Sequence, residues 1–364
     1  MHLIPNFISK LLMENSFVTE FLLQWFRQNK RNLPWREDKN PYYIWLSEVI
    51  LQQTRVAQGL PYFEKFKENF PTIVDLANAS EDQVLKLWQG LGYYSRARNM
   101  HAAAKMVAAK KGIFPNTFQE ILTLKGVGEY TAAAIASIAF NEKTAVVDGN
   151  VYRVISRLFD IDIPIDSNEG KKVFKKLAND LISEKFPGDY NQAIMEFGAL
   201  FCTPQNPNCE SCGLKFNCMA FQAKTVDVRP VKEKKVKTKN RYFYYLDFID
   251  KNHNRVLVQR IKNDIWKGLF ELPLIETLEE IDEISLVKII NENFNLEIQK
   301  LPFFVEKRKH ILTHQRIYTS FYQVQIDSLT TLKMDGFKIV KVEETKNFAV
   351  PRLIDLYLQN NFKS

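Results

Sequence analysis

Glu48 lies inside Pro41-Tyr42-Tyr43-Ile44-Trp45-Leu46-Ser47-Glu48-Val49-Ile50-Leu51-Gln52-Gln53-Thr54, which reads as a helix entered through a proline in its first turn. Ile44 and Trp45 precede it by one turn, and Leu51 and Gln52 follow by one turn, so the carboxylate rides on a largely apolar stripe. Two readings are open. Such a glutamate can reach water or an arginine from the helix edge, or burial can raise its pKa until it donates a proton near neutral pH. A second acidic group, Asp148-Gly149-Asn150, stands farther along the chain. The third group is a set of four cysteines, spaced Cys202-x6-Cys209-x2-Cys212-x5-Cys218, with none elsewhere. Four thiolates in one short loop can wrap a tetrahedral zinc or a [4Fe–4S] cube. Zinc ribbons usually offer two Cys-x-x-Cys pairs and this loop has one, so the uneven spacing favours the cube. A disulfide framework would spread its cysteines across a small secreted domain, and these are clustered.

Asp148 follows a helical hairpin within residues 117–150. Phe118, Ile121, Leu122 and Leu124 recur at helical spacing, as do Ala134, Ile135 and Ile138, and Lys125-Gly126-Val127-Gly128-Glu129 joins the two segments. Two glycines one residue apart let the backbone bend sharply and approach a ligand closely. The free amides of such a turn and the following helix start form an anion site. Equally, an αα-hairpin can serve packing alone. Fifty basic against 42 acidic residues, a formal net charge of +8, favour a nucleic-acid phosphate as the anion.

At 364 residues the chain is long for one core, and 46% hydrophobic content allows two. No apolar run approaches the roughly 20 residues needed to span a bilayer. The opening residues lack a basic n-region and a small-residue cleavage site, so no signal peptide is read, and Met13 is a candidate start. The expected compartment is the cytoplasm. Residues 1–15 read as an extension and 16–223 as an all-α domain carrying the cysteine loop at 202–218. Helices are expected over 16–30, 41–54, 62–69, 75–79, 80–89 with a Ser80/Gln83 capping box, 95–111, 151–159, 168–184 and 191–201. Between two of these, Gly90-Leu91-Gly92-Tyr93-Tyr94-Ser95-Arg96-Ala97-Arg98 suits either a loop that enters stacked bases or a connection with core tyrosines. Residues 224–240 are polar and basic and read as a linker; Lys232, Lys234, Lys235, Lys237 and Lys239 either track phosphates or form a solvated tether. Residues 241–364 alternate strands with two helices, at 285–294 and 351–360, as a compact α+β domain.

Taken together, these segments resemble the helix-hairpin-helix DNA glycosylases of the endonuclease III superfamily, and among them the MutY-type adenine DNA glycosylases. The resemblance rests on Leu33-Pro34-Trp35-Arg36, Trp45 through Thr54, residues 90–99, Gly126-Val127-Gly128, Val147-Asp148-Gly149-Asn150-Val151, Met195-Glu196-Phe197-Gly198-Ala199 and the four cysteines. Each is weak alone; in this order over some 190 residues they are specific. It extends to Trp266-Lys267-Gly268-Leu269-Phe270-Glu271-Leu272-Pro273, which looks like the Nudix-related module these enzymes carry.

The resemblance implies a multidomain enzyme, an all-α domain with a [4Fe–4S] loop followed by an α+β Nudix-like domain. It implies excision of adenine mispaired with 8-oxoguanine or guanine in duplex DNA, by a monomer associated with a bacterial nucleoid. Glu48 would protonate the flipped adenine, Asp148 would stabilise the oxocarbenium-like sugar, and Tyr130 and Asn150 would orient them. Trp35, Arg36, Leu51 and Glu196 would form the adenine pocket, and Gly126, Val127 and Gly128 would hold DNA. Gln53, Thr54, Leu91, Tyr93, Thr313 and His314 would meet the 8-oxoguanine. At the last of these the family's Phe-Ser-His is replaced by Leu312-Thr313-His314. A hydrolytic Nudix site needs an Arg-Glu-x-x-x-Glu-Glu run to bind magnesium. After Gly268 no Arg-Glu pair occurs, so the module reads as recognition.

Bifunctional relatives place a lysine two residues after the second hairpin glycine, where this chain has Tyr130. A phenol cannot form an imine. Borohydride treatment of enzyme with damaged DNA is therefore expected to trap almost no covalent complex, and efficient trapping would contradict the monofunctional assignment.

Overall fold

A computed structural model describes residues 4–233, 238–298, 301–332, 334 and 336–361, with side chains described from residue 16 onward. Lys234, Lys235 and Lys237 lie outside the described residues. Contacts divide the chain into two units, residues 1–77 with 102–234 and residues 78–101 with 235–364. No helix among the described residues is long and apolar enough to cross a membrane.

The chain first forms α1 (Ile4–Asn29), α2 (Pro41–Leu51), α3 (Val56–Asn69), α4 (Ile73–Asn78), α5 (Glu81–Trp88) and α6 (Ser95–Ala108). Then come α7 (Phe118–Leu122), α8 (Glu129–Phe140), α9 (Gly149–Leu158), α10 (Asn168–Leu181), α11 (Pro187–Leu200) and α12 (Met219–Gln222). α1 begins well before the expected Ser16. α2 stops at Leu51, three residues short of expectation, because Gln53 takes a left-handed φ of 55°. The first unit's core gathers Leu22 and Phe26 of α1, Val151 and Ile155 of α9, Phe174 of α10, and Ile194 and Phe197 of α11. α11 packs on α1, α8 and α9. The close crossing with α8 needs Gly188, where an added Cβ would sit 2.5 Å from the Ser137 carbonyl oxygen. Residues 224–233 of the basic linker run along the helical unit. Arg229 pairs with Asp160 at 2.9 Å, and the Val231 carbonyl accepts from the Ile165 amide at 3.0 Å.

The second unit is a mixed sheet of β1 (Lys239–Asp250), β2 (Asn254–Gln259), β3 (Phe270–Glu271), β4 (Leu274–Thr277), β5 (Phe303–Leu312), β6 (Gln315–Ile326) and β7 (Phe337–Lys341), with α13 (Glu283–Phe294) and α14 (Arg352–Asn361). The order is β3-β2-β1-β6-β5, with β4 on β1 and β7 on β2. β1 and β6 pair in parallel from Lys239↔Gln315 to Asp250↔Ile326, while β5 and β6 pair antiparallel. Alternation along β1 sorts its side chains. Tyr244, Leu246 and Phe248 meet Leu286, Ile290 and Phe294 of α13. Tyr245 stacks on Phe321, which stacks on Tyr357 of α14 at 4.4 Å between centroids. α5 belongs to this unit: the Lys86 ammonium donates to the Phe348 carbonyl at 3.0 Å, and the Val350 amide donates to Gln89 at 3.3 Å. Its Ser80/Gln83 capping box forms as expected.

Asp247 is fully buried under α14, where Arg255 grips it with two hydrogen bonds of 2.7 and 3.0 Å and the Tyr357 hydroxyl donates at 2.8 Å. Removing the carboxylate strands a buried guanidinium. Asp247→Ala should destabilise this unit by about 3–5 kcal/mol, read as a loss of the sheet's denaturant midpoint while the helical unit's transition stays in place.

Candidate active site

In the helical unit, Asn40 caps α2 by accepting from the Tyr42 amide, and Pro41 supplies its first turn. The helix buries Ile44, Trp45, Leu46, Val49 and Ile50, while Glu48 lines a cavity. Opposite, the first turn of α8 places the Tyr130 hydroxyl, which donates to Glu48 Oε2 at 2.6 Å and lies 3.4 Å from Met195 Sδ. Residues 144–147 run extended into Asp148. Buried Asn191 of α11 holds that run, donating to the Thr144 carbonyl at 2.8 Å and accepting from the Val146 amide at 3.1 Å. Asp148 is the N-cap of α9. It accepts from the backbone amides of Asn150 at 2.9 Å and Val151 at 2.8 Å, and from the Asn150 side chain at 2.7 Å. Gly198 lets α11 come this close, since an added Cβ would stand 2.7 Å from Asn150 Cβ.

The two acids differ in what opposes their burial. Desolvation pushes the Glu48 carboxyl up to about 7; the Tyr130 hydrogen bond works against this, Asp148 adds to it, and Arg36 opposes it. Desolvation also raises Asp148, but three hydrogen bonds from Val151 and Asn150, with the Arg153 charge, pull it back. Tyr130, raised chiefly by burial and then by Glu48, keeps its proton. The same cavity, about 790 Å³, is lined by Trp35, Arg36, Leu51, Gln53, Thr54, Asn150 and Glu196. Glu196 is gripped by Arg31, through Nε at 2.8 Å and Nη2 at 2.6 Å, and by Arg36 at 3.1 and 3.0 Å. Burial alone would raise Glu196, yet the two arginines bring it down to about 2. A carboxyl raised to about 7 in one cavity with a carboxyl held by three hydrogen bonds to its ionised form can divide acid and charge-stabilising work.

The hairpin turn has Gly126 at φ 76°, where a side chain would be strained, while Gly128 begins α8 with no side-chain cap. Nothing lies within 4 Å of a Cβ placed on Gly128. Val127 is buried between the helices. The four cysteines are free thiols that line one small cavity with Arg157, Phe197 and Leu214. Among the described residues no three His, Cys, Asp or Glu side chains converge on one ion. Burial raises Cys209, Cys212 (to about 11) and Cys218, each further raised by the other thiols. Arg157 is buried and donates to Cys202 Sγ at 3.4 Å, and amides of Leu214, Ala220 and Phe221 face Cys212 and Cys218. Four thiols with cationic and amide support form a donor set that suits a positively charged group.

Leu91, Tyr93, Thr313 and His314 belong to the other unit, where they line a cavity of about 520 Å³. The loop of residues 90–98 divides its roles: Leu91 and Tyr94 are buried, while Tyr93 is 46% exposed. Tyr93 and Thr313 hydroxyls hydrogen-bond at 2.7 Å, and Arg96 stacks on the Tyr93 ring at 5.7 Å. His310, whose pKa burial lowers, packs on Trp266 at 5.7 Å.

Three participants were not singled out from sequence. Arg31 holds Glu196; Met195 touches Tyr130; Arg153 donates to Asn150 Oδ1 at 3.0 Å and to the Cys202 carbonyl at 2.8 Å. Arg153 had a signal, since it follows Asn150 by about one turn on a strongly amphipathic helix. Arg31 had none, because its partner is 165 residues away.

The helical unit, its glycine hairpin and its paired acids define a base-excision fold. The family description "HhH-GPD superfamily base excision DNA repair protein" matches residues 46–181, and "NUDIX domain" matches 245–360. The structure of a thermostable thymine-DNA glycosylase superposes with a TM-score of 0.54 at 29% identity, over 58% of this chain and 98% of that one. The adenine DNA glycosylase of Buchnera aphidicola subsp. Baizongia pistaciae is 35% identical over 314 residues, covering 85% of this chain and 86% of its own length. That of Arabidopsis thaliana is 36% identical over 84% of this chain, which spans 57% of that relative's length. The chain belongs to the adenine DNA glycosylase family, and so to the DNA glycosylases of base excision repair.

Because the Glu196 carboxyl sits below its unfolded value of 4.5, its contribution to stability is complete above that pH and is lost as pH falls through about 2. Glu196→Gln should therefore flatten the acid limb of stability between about pH 4.5 and 2, measured by denaturant unfolding at each pH.

Proposed function

We propose that this chain removes adenine mispaired with 8-oxoguanine, and with guanine, from duplex DNA by hydrolysing the N-glycosidic bond of a nucleotide flipped out of the stack. The observation that carries this reading is the Glu48 carboxyl, held near a neutral pKa and 2.6 Å from the Tyr130 hydroxyl, in one cavity with Asp148. Glu48 gives its proton to N7 of adenine. The C1′–N9 bond then breaks with its electron pair leaving on the base, and the Asp148 carboxylate stabilises the positive sugar. Water adds to C1′, and ionised Glu48 takes its proton. Asn150 holds Asp148 in place, and Tyr130 orients Glu48. Trp35, Leu51, Arg36 and Glu196 enclose the base. With tyrosine at position 130 no imine forms, so the strand is not nicked. The base can reach these groups only by leaving the duplex.

The hairpin turn at Gly126, Val127 and Gly128 holds a DNA phosphate, with the Val127 amide itself spent on the Leu124 carbonyl at 3.1 Å. Leu91, Tyr93, Thr313 and His314, which line one cavity, read the opposite 8-oxoguanine. Thr313 retains a hydroxyl, already bonded to Tyr93, and His314 offers ring donors. The sheet module serves recognition: Glu279 and Glu280 are exposed in the turn before α13, and the sequence there has no Arg-Glu run to hold magnesium. Cys202, Cys209, Cys212 and Cys218 would hold a [4Fe–4S] cluster, which when bound would cross-link the loop. The acting form is a monomer on duplex DNA in the bacterial cytoplasm.

The test is single-turnover excision from duplexes carrying adenine opposite 8-oxoguanine, guanine or thymine. Cleavage of the first two is expected, and cleavage of none refutes the function. The rate should fall as pH rises through about 7, where Glu48 loses its proton. Glu48→Gln should slow excision by at least about 10²–10⁴-fold with affinity nearly unchanged; retained activity would remove Glu48 as the acid.

A further inference from the structure

Tyr130 lines a second cavity besides that of Glu48 and Asp148, and it is the one residue the two share. This second cavity, about 500 Å³, lies between the first turn of α8, residues 144–147, Tyr152 of α9 and one face of α10. α10 contributes Lys171, Lys172 and Lys175, all exposed. Lys175 pairs with Glu129 at 3.0 Å. Among the described residues neither Lys171 nor Lys172 has a carboxylate partner. The cavity is therefore cationic, with one acid at its edge and a Tyr152 phenol that can donate.

We infer that this lysine cleft holds phosphates of the DNA strand whose nucleotide occupies the Glu48 cavity. The inference rests on the glycosylase reading, and its logic is continuity of the strand. A nucleotide in the first cavity remains joined to its neighbours, and its backbone must pass Tyr130. Beyond Tyr130 the next cavity along this wall is the one lined by three lysines. Glu129, at its edge, is also the residue that follows the hairpin glycines, so the amides of the turn and the lysines of α10 form one continuous cationic track. Lys171 and Lys175 stand one turn apart, about 6 Å along the helix. That is about the separation of two neighbouring phosphates on one strand, whose path winds around the duplex axis as well as rising along it. The same chemistry would accept a free phosphate, but a free anion gives no reason for the cavity to share a wall with the acids.

The experiment measures binding of the full chain, in the Glu48→Gln background so that substrate stays intact, to a duplex carrying adenine opposite 8-oxoguanine over a series of KCl concentrations. Lys171→Gln/Lys172→Gln is expected to make the slope of log affinity against log salt shallower by about two. Glu129→Gln is expected to tighten binding, a gain that a folding defect cannot mimic. In the otherwise native chain, the lysine double variant should keep its single-turnover rate at saturating enzyme, since no lysine touches the reacting atoms. An unchanged slope overturns the inference. So does lysine-dependent binding of inorganic phosphate, followed by NMR, with the DNA slope unchanged. If the native chain excised no base, the glycosylase reading would fall, while the slope comparison would still decide whether these lysines meet DNA.

Discussion

Burial raises the pKa of both Glu48 and Asp148, which line one cavity, and the structure answers that cost differently for each. Asp148 caps α9, so two backbone amides, the Asn150 side chain and the Arg153 charge all favour its ionised form. Glu48 lies in mid-helix, where every backbone amide is already used, and receives a single hydroxyl. The asymmetry is set by position within the helix: an N-cap meets free N–H groups, and a central residue does not. Two identical functional groups thus meet the same desolvation with unequal hydrogen-bond support for the ionised form.

α11 carries much of the positioning. Asn191 pins the extended run into Asp148, Met195 touches Tyr130, Glu196 closes the cavity between two arginines, and Gly198 admits Asn150. These four residues span little more than two turns, and all but the partly exposed Met195 are buried. A buried carboxylate is costly unless it is paired and hydrogen-bonded, and five hydrogen bonds from Arg31 and Arg36 satisfy the Glu196 oxygens. Arg153 then ties Asn150 to the Cys202 carbonyl, and Arg157, one turn on, reaches the Cys202 sulfur. α9 thus touches the acid at one end and the thiol loop along its length.

The sheet unit shows the same economy in another form. Its central strand alternates between two helices, and the charges it buries, Asp247 with Arg255 and Glu271 with Arg260, are paired. Segments 78–101 and 235–364 are far apart in sequence but share one unit because α5 hydrogen-bonds to the chain just before α14. No local pattern in residues 78–101 announces that allegiance; their amphipathic helix would fit any core.

Much was legible before folding was considered. Helix periodicity, the Ser80 cap, the glycine hairpin, the thiol spacing and the strand alternation depend on near neighbours, and near neighbours are what a sequence displays. Glu48 on an apolar stripe was readable as either an edge residue or a buried acid, and its helix could not say which. Tyr130, which donates to it from 82 residues away, and the cavity the two line supply surroundings its own helix does not display, and a pKa is set by everything around a group. Glu196 was readable as a pocket residue, but its grip by Arg31 depended on α1 crossing α11. The sequence by itself determined which groups were present and which helix or strand each would ride on. Only the tertiary structure decided which of them would meet, how far each would be buried, and which hydrogen bonds would oppose that burial.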